Sequence, residues 1–356
     1  METTEPLFPW LELIDRPAFC VMDGVVAAGN AAARSRMLQT GADIYEIVTE
    51  HRDTYQNFTG GCLFLTVTVG GLPCNASVNR TKDCDIFILE QKSDTAQLQV
   101  LALAAQHLRI PLSNVMTMAD QLCSDMENTD IQTRQQADQL QHSLFQLLRI
   151  ISNMSDSGGY CGTPAADMRM SNLTAVFREI VEKAQAASES IGIHLVYTEP
   201  EMPVLGLADP EKLERAVYNL LSNAIKFSPA GSTVEAKLSC NASRLSFTVC
   251  NPCAEPVQEH CFWNRYRREP AIEDSRQGLG LGMTLVGAVA AAHGGTVLID
   301  HPDNQSTRVI MTVTVAKNNG STVRSPVMRV GDYAGGRDKA LLEFADFLLP
   351  DAYNNI

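Results

Sequence analysis

Arg215-Ala-Val-Tyr-Asn-Leu-Leu-Ser-Asn-Ala-Ile-Lys-Phe-Ser-Pro229 is the stretch from which the rest of the chain is read. Val217, Leu220, Leu221, Ala224 and Ile225 fall at helical spacing and predict one buried face. Asp209-Pro210 just upstream predicts an N-cap followed by proline at the first helical position. Asn219, Asn223 and Lys226 stand three to four residues apart and share a second face. An amide oxygen can ligate a hard cation such as Mg²⁺, and a lysine can meet phosphate. Taken alone, the same pattern also describes an ordinary surface helix.

The second informative stretch is Gly278-Leu-Gly-Leu-Gly-Met-Thr-Leu-Val-Gly-Ala-Val-Ala-Ala-Ala-His-Gly-Gly295. Alternating glycines open a helix, where backbone N–H groups can approach an anion closely. No Gly-Lys-Ser/Thr follows and no strand leads directly into the glycines, so neither a P-loop nor a dinucleotide fingerprint fits. The two stretches in this order resemble the ATP-binding domain of sensor histidine kinases, of the GHKL ATPase type. Asn219 to Lys226 matches that family's N box, N-L-L-x-N-A-x-K. Gly278 to Met283 matches its G2 box, G-x-G-L-G-L, with Met283 for the last leucine. The resemblance implies ATP and Mg²⁺ as cofactors. Asn223, with Asn219, would meet the metal; Lys226 would meet phosphate; Gly278, Gly280 and Gly282 would cradle the phosphate chain.

At 356 residues the chain has room for two to three domains. A hydrophobic share of 45% and a charged share of 19% suit globular domains with substantial cores. The net charge of −13 argues against a nucleic-acid partner. No apolar run is long enough to span a bilayer, and Met1–Trp10 lacks the apolar region of a secretory signal. A cytoplasmic protein without membrane insertion is therefore expected, its ten cysteines reduced.

Residues 10–92 read as a small α+β domain. Strands Phe19–Met22 and Val25–Ala28 flank Asp23-Gly24, a hairpin signal. Helix Ala31–Leu38 follows, then a second helical pattern through Ile47. Strands Cys62–Val69, Cys74–Val78 and Cys84–Leu89 complete the set. This order, with the wording Arg16-Pro-Ala-Phe-Cys and Gly29-Asn-Ala-Ala, resembles a PAS sensory domain. Cys20, Cys62, Cys74 and Cys84 read as small core hydrophobes before they read as a metal or redox site.

Residues 93–157 carry two heptad patterns. One steps through Leu98, Leu101, Ala105, Leu108, Leu112, Val115, Ala119 and Leu122. The other steps through Ala137, Leu140, Leu144, Leu147, Ile151 and Met154. They predict an antiparallel helical hairpin that dimerises into a four-helix bundle, hence a homodimer. The segment also resembles the dimerisation and phosphoacceptor domain of histidine kinases, whose H box reads His-Glu-Leu-Arg-x-Pro-Leu. Here the run is Gln106-His107-Leu108-Arg109-Ile110-Pro111-Leu112. Gln106 falls at the acceptor position and cannot carry a phosphoryl group. His107 falls at the position of the acidic base, about 100° round the helix. Either His107 serves as the phosphoacceptor, or autophosphorylation is lost, or the H box lies on this run in another register. His142 on the second helix is a remote alternative, more simply a solvated surface histidine. Gln106 could also orient a water for dephosphorylation of a regulator.

Ser157–Pro164 reads as a linker, and residues 171–317 as an α/β sandwich with strands Leu245–Val249 and Arg308–Val315 near its end. The family's G1 box, Asp-x-Gly-x-Gly, is here Asn251-Pro-Cys-Ala-Glu255. Asn251 keeps an acceptor for adenine without the charge, and both glycines are gone. Cys250, Cys253, His260 and Cys261 offer four metal-ligand types, but packing cysteines are the simpler reading. Trp263-Asn-Arg-Tyr-Arg-Arg268 resembles the F box. That places Arg265 and Arg268 near the γ-phosphate, although such a stretch is also an ordinary solvated basic run. In the tail, 318–356, Asp338–Leu349 predicts a short amphipathic helix that could dock on its own chain or on a partner.

The expected whole is an α+β multidomain chain: a PAS-like domain, a dimeric helical hairpin and a GHKL-type α/β sandwich. As a sensor histidine kinase of a two-component system it would pass the ATP γ-phosphoryl to a histidine and then to a response regulator. The alternative is a non-catalytic, dimeric regulatory protein on the same scaffold, because the acceptor histidine and the G1 glycines are the parts that catalysis needs and folding does not.

Overall fold

A computed structural model describes residues 8–90, 92–124, 131–159, 166–253, 281–303, 305–315, 334 and 336–353. The N-terminal part is an antiparallel sheet with three short helices. In chain order it comprises β1 (Ala18–Met22), β2 (Val25–Gly29), α1 (Ala31–Arg34), α2 (Ile44–Ile47), α3 (Arg52–Gln56), β3 (Cys62–Val69), β4 (Leu72–Arg80) and β5 (Asp85–Leu89). The strands lie side by side as β2-β1-β5-β4-β3. Asp23 and Gly24 both take positive φ, 50° and 79°, as a tight β1–β2 turn demands. Helix α1 stops at Arg34, four residues short of the expected Leu38, and Met37 then turns with φ 63°. Its cap, Asn30, is buried and saturated. Its Oδ1 accepts from Ala33 N and Ala18 N, and its Nδ2 donates to Arg16 O at 2.7 Å. Phe19 and Phe87 stack at 4.7 Å in the core.

Cys20, Cys62 and Cys84 are buried and Cys74 is half-buried, all as free thiols. That matches the packing reading. Arg80 grips Asp85 through Nε and Nη2 at 2.8 and 2.7 Å, and the Tyr55 hydroxyl donates to the same carboxylate at 2.6 Å.

Two long helices follow, α4 (Lys92–Ser124) and α5 (Ile131–Gly159). Helix α5 runs two residues past the expected boundary at 157, into the glycines of the linker. The heptad residues divide into two rows. Ala105, Leu112 and Ala119 are buried within the chain, as are Leu144 and Ile151. Leu101, Leu108, Val115 and Leu122, spaced by seven, stay 39–59% exposed, and Leu140 and Leu147 stay 47–49% exposed. One row of each helix thus closes the single chain, and the other is left on the surface.

The C-terminal part begins with β6 (Arg169–Asn172), α6 (Leu173–Ser190), β7 (His194–Thr198) and β8 (Leu205–Ala208). Then come α7 (Pro210–Phe227), β9 (Thr233–Asn241), β10 (Arg244–Pro252), α8 (Leu281–Ala292), β11 (Val297–Asp300), β12 (Ser306–Thr314) and α9 (Lys339–Glu343). Strands β6 and β8 form a small separate pair. The other five lie in the order β11-β12-β10-β9-β7, antiparallel except for β7 with β9. Along β10, Leu245, Phe247, Val249 and Asn251 are buried at alternate positions, so one face of the sheet meets the helices. Phe177 of α6 meets Phe247 there at 5.0 Å.

Among the described residues, the hairpin packs into the core of the C-terminal part, and two further features join the parts. The edge strand β11 pairs with the edge strand β3, Val297 opposite Phe64 and Ile299 opposite Cys62, and makes one ten-stranded sheet. Gly61 takes φ 87° at this junction, where a Cβ would lie 2.2 Å from Ile299 O. The tail from Ala334 to Tyr353 docks on its own chain, with Leu342, Phe344, Ala345 and Tyr353 in the shared core. Its helix covers Lys339–Glu343 rather than the full Asp338–Leu349. None of the described helices is long and apolar enough to cross a membrane.

Candidate functional site

Helix α7 forms as its sequence predicts. Asp209 caps it, its Oδ1 accepting from Lys212 N at 3.1 Å, and Pro210 opens the first turn. Val217, Leu220, Leu221, Ala224 and Ile225 are all buried. The polar face is far less solvated than in a surface helix: Asn219 is 2% exposed, Lys226 8%, and Asn223 is half-buried.

Helix α8 packs against α7, and the contact is made at Gly282. A Cβ there would sit 2.6 Å from Asn219 Oδ1, so any larger residue in the first turn of α8 would have to displace the Asn219 amide. Asn219 is oriented by its own amide, whose Nδ2 donates to Arg215 O at 2.9 Å. The two signature stretches, more than fifty residues apart in sequence, therefore meet side chain to backbone.

A second tie between these helices was not singled out from the sequence. His293, just after α8, is buried and neutral. Its Nδ1 lies 2.8 Å from Val289 O, and its Nε2 accepts from Asp209 N at 3.0 Å. Burial pulls its pKa below the ordinary imidazole value. This histidine fixes the end of α8 to the start of α7. Its place in Ala-His-Gly-Gly, at the end of the glycine-opened helix, is the sequence signal that could have found it.

Asn251 reaches the helix-facing side of β10, 5% exposed, and its Nδ2 donates to Pro252 O at 3.0 Å. That leaves its Oδ1 as the group that could accept from an adenine amino group. Cys250, one residue earlier, points to the other face, into a cleft of 540 Å³ also lined by Glu235, Asp303 and Ser306. Burial pushes its thiol pKa up, away from the thiolate that a metal needs. Cys253 Sγ lies 3.1 Å from the Thr307 hydroxyl. No group of three or more His, Cys, Asp or Glu among the described residues is arranged to hold a metal ion. His260, Cys261, Arg265, Arg268, Gly278 and Gly280 lie outside the described residues.

For a hard cation, the fit rests on amide oxygens. Asn223 makes no side-chain hydrogen bond among the described residues, so its oxygen is available as a ligand; the Asn219 oxygen faces Gly282.

Lys226 does not stand ready for phosphate alone. Its Nζ lies 2.9 Å from Asp346 Oδ2 in the tail. Arg149 of α5 reaches the same carboxylate oxygen at 2.5 Å and donates to Ser222 Oγ at 2.9 Å. Beside it Arg215 pairs with Glu343 and Asp156 and bonds Asn153 Oδ1. None of Arg149, Glu343 or Asp346 had been singled out from the sequence, because each acquires its role only from residues far away in the chain.

In the hairpin, Gln106 and His107 are both exposed. His142 is not the solvated histidine expected. Its Nε2 lies 2.8 Å from Ala345 O, and its ring meets Tyr353 at 5.5 Å. The tail covers it.

Residues 208–317 match the family described as histidine kinase-, DNA gyrase B-, and HSP90-like ATPase. Over a longer stretch, the chain is 28% identical to the sensor histidine kinase CusS of Escherichia coli O6:H1, covering 61% of this chain and 45% of the relative. It is 26% identical to the adaptive-response sensory kinase SasA of Trichormus variabilis, covering 78% and 74%. The chain thus spans about half the length of the first of these relatives. Among solved structures, full-length ShkA in complex with AMPPNP aligns with a TM-score of 0.49 at 22% identity, over 61% of this chain and 46% of that one. The family model and the sequence relatives point to the sensor histidine kinases, with residues 208–317, which include α7 and α8, as the part that resembles the ATPase domain.

Proposed function

We propose that the chain is a sensor histidine kinase of a two-component system. The observation that supports this reading best is the seating of Gly282, the described end of the glycine stretch, on Asn219 of α7. In this proposal residues 171–317 bind Mg²⁺·ATP. Asn223 and Asn219 hold the metal, Lys226 meets phosphate, Asn251 accepts from adenine, Gly278, Gly280 and Gly282 line the phosphate chain, and Arg265 and Arg268 approach the γ-phosphate. The metal would neutralise phosphate charge; positioning by these residues does the rest.

The hairpin of residues 93–157 would form a homodimer through the exposed rows Leu101-Leu108-Val115-Leu122 and Leu140-Leu147, which have heptad spacing and stay exposed among the described residues. His107, exposed on α4, would receive the phosphoryl group and pass it to a response regulator. Residues 10–92 would act as a PAS-like sensory domain, a reading supported by the strand order β2-β1-β5-β4-β3. A cytoplasmic location belongs to the same proposal.

A second reading, a non-catalytic regulatory protein on this scaffold, is favoured by specific observations. Gln106 replaces the acceptor, and Lys226 is already engaged by Asp346. Incubation with γ-labelled ATP and Mg²⁺ separates the two. Acid-labile, base-stable label on the wild type that is lost in His107→Gln and in Asn223→Ala is the expected result. No label, beside a conventional kinase that labels in the same tube, would make the non-catalytic reading the better one.

A further inference from the structure

The tail lies beyond the last residue of the family match, 317, and yet it reaches the most informative helix of that domain. Its apolar side chains, Leu342, Phe344, Ala345 and Leu348, are buried, and Phe344 meets Tyr218 of α7 edge-on at 5.5 Å. The tail also carries Glu343 and Asp346 into a buried cluster with Arg149, Arg215 and Lys226, where desolvation offsets much of the Coulomb gain. Such a cluster adds little stability over an apolar contact. It adds a defined register and a charge that another anion can replace.

The geometry of that replacement is specific. Two cations from different helices, Lys226 Nζ and Arg149 Nη1, converge on one carboxylate oxygen at 2.9 and 2.5 Å. Arg149 is held in place by its bond to Ser222, one residue before Asn223. Lysine and arginine on a shared oxygen are the chemistry that also takes a phosphoryl oxygen, and a phosphate carries more charge than a carboxylate.

We propose that Lys226 and Arg149 form an anion site that the protein's own Asp346 fills, so that the C-terminal segment competes with nucleotide phosphate for α7. Arg149 thereby becomes a phosphate-binding residue contributed by the hairpin, and release of the tail becomes a condition for tight nucleotide binding. This rests on the reading of α7 as a nucleotide helix.

The test uses all 356 residues and a fluorescent ATP analogue with Mg²⁺. If the segment is seated about nine-tenths of the time, unseating it tightens apparent affinity about tenfold. Asp346→Asn, which preserves shape, is expected to show that gain, and the gain is expected to vanish when Lys226→Ala is added. In the unaltered protein, Mg²⁺·ATP is expected to speed amide hydrogen exchange in residues 338–349. Binding by the wild type that is lost in Asn223→Ala, with neither a gain in Asp346→Asn nor faster exchange in the tail, overturns the competition and leaves the nucleotide site standing. Absence of binding in every variant overturns both.

Discussion

Among the described contacts that attach the α/β half of the molecule to the rest, two are built on opposite principles. At the sheet joint, β11 and β3 meet through backbone pairing over Val297–Ile299 and Cys62–Phe64. Leu298 reaches into the N-terminal core and Phe64 into the C-terminal one. One side-chain bond, Arg244 Nη1 to Thr54 Oγ1 at 2.6 Å, flanks it. At the tail joint, charged side chains from α5, α7 and the C-terminal segment interlock in a buried cluster. Backbone pairing depends on strand shape and tolerates most side chains. A buried ionic cluster depends on each member, since removing one leaves an uncompensated charge.

The largest expected effect follows from that contrast. Glu343→Ala strips Arg215 and Arg149 of a fully buried partner and is expected to cost about 3–5 kcal/mol. Chemical denaturation measures it, and a loss below about 1 kcal/mol would show that the cluster is solvated in practice. At the other joint, substitutions at the half-buried β3 positions Thr66 and Thr68 should be mild, but Gly61→Ala, just before the strand, should not. It places a Cβ against the Ile299 carbonyl at positive φ and is expected to cost about 1–3 kcal/mol. Hydrogen exchange should then show faster amides in β3 and β11 with α7 unchanged. If α7 loosens equally, the two joints are one cooperative unit.

The smallest effect separates the joints by pH. His51, at the start of α3 beside Arg244, has its pKa pulled below the ordinary value by burial and then by that arginine. The folded state therefore binds its proton less readily than the unfolded one. Its contribution is full above the usual imidazole pKa of about 6.5 and declines as pH falls below it. Asp346 behaves differently. Burial pushes its pKa up, but Arg149 and Lys226 overcome that and leave it below 3.8. Its contribution is full above the unfolded carboxylate value of about 3.9 and is lost only as pH falls through the lower folded value. Exchange measured at pH 7, 5.5 and 3.5 should show the sheet joint loosening at the middle pH while the tail joint holds. Simultaneous loosening would erase the distinction.

The parts legible in the sequence were those whose cause is local. The α7 cap is set by Asp209-Pro210, its buried face by five apolar residues, and the Asp23-Gly24 turn by a backbone conformation glycine favours. The reading of α1 ran to Leu38 because Arg34-Ser-Arg-Met-Leu is acceptable in a helix; Met37 instead turns at positive φ. The heptads were legible as a repeat, but not which row closes the chain and which faces outward, because both rows have the same composition and period.

The sequence by itself determined the helix that carries Asn219, Asn223 and Lys226, the glycine helix that meets it, and the two-helix hairpin, because periodicity and capping act within a few residues. Only the tertiary structure decided that β11 continues the N-terminal sheet, that His293 holds Asp209, and that Lys226 is held by Asp346, 120 residues away. An ion pair has no sequence period. It exists where the packing of intervening elements brings two charges out of water together, and that is settled by the fold as a whole.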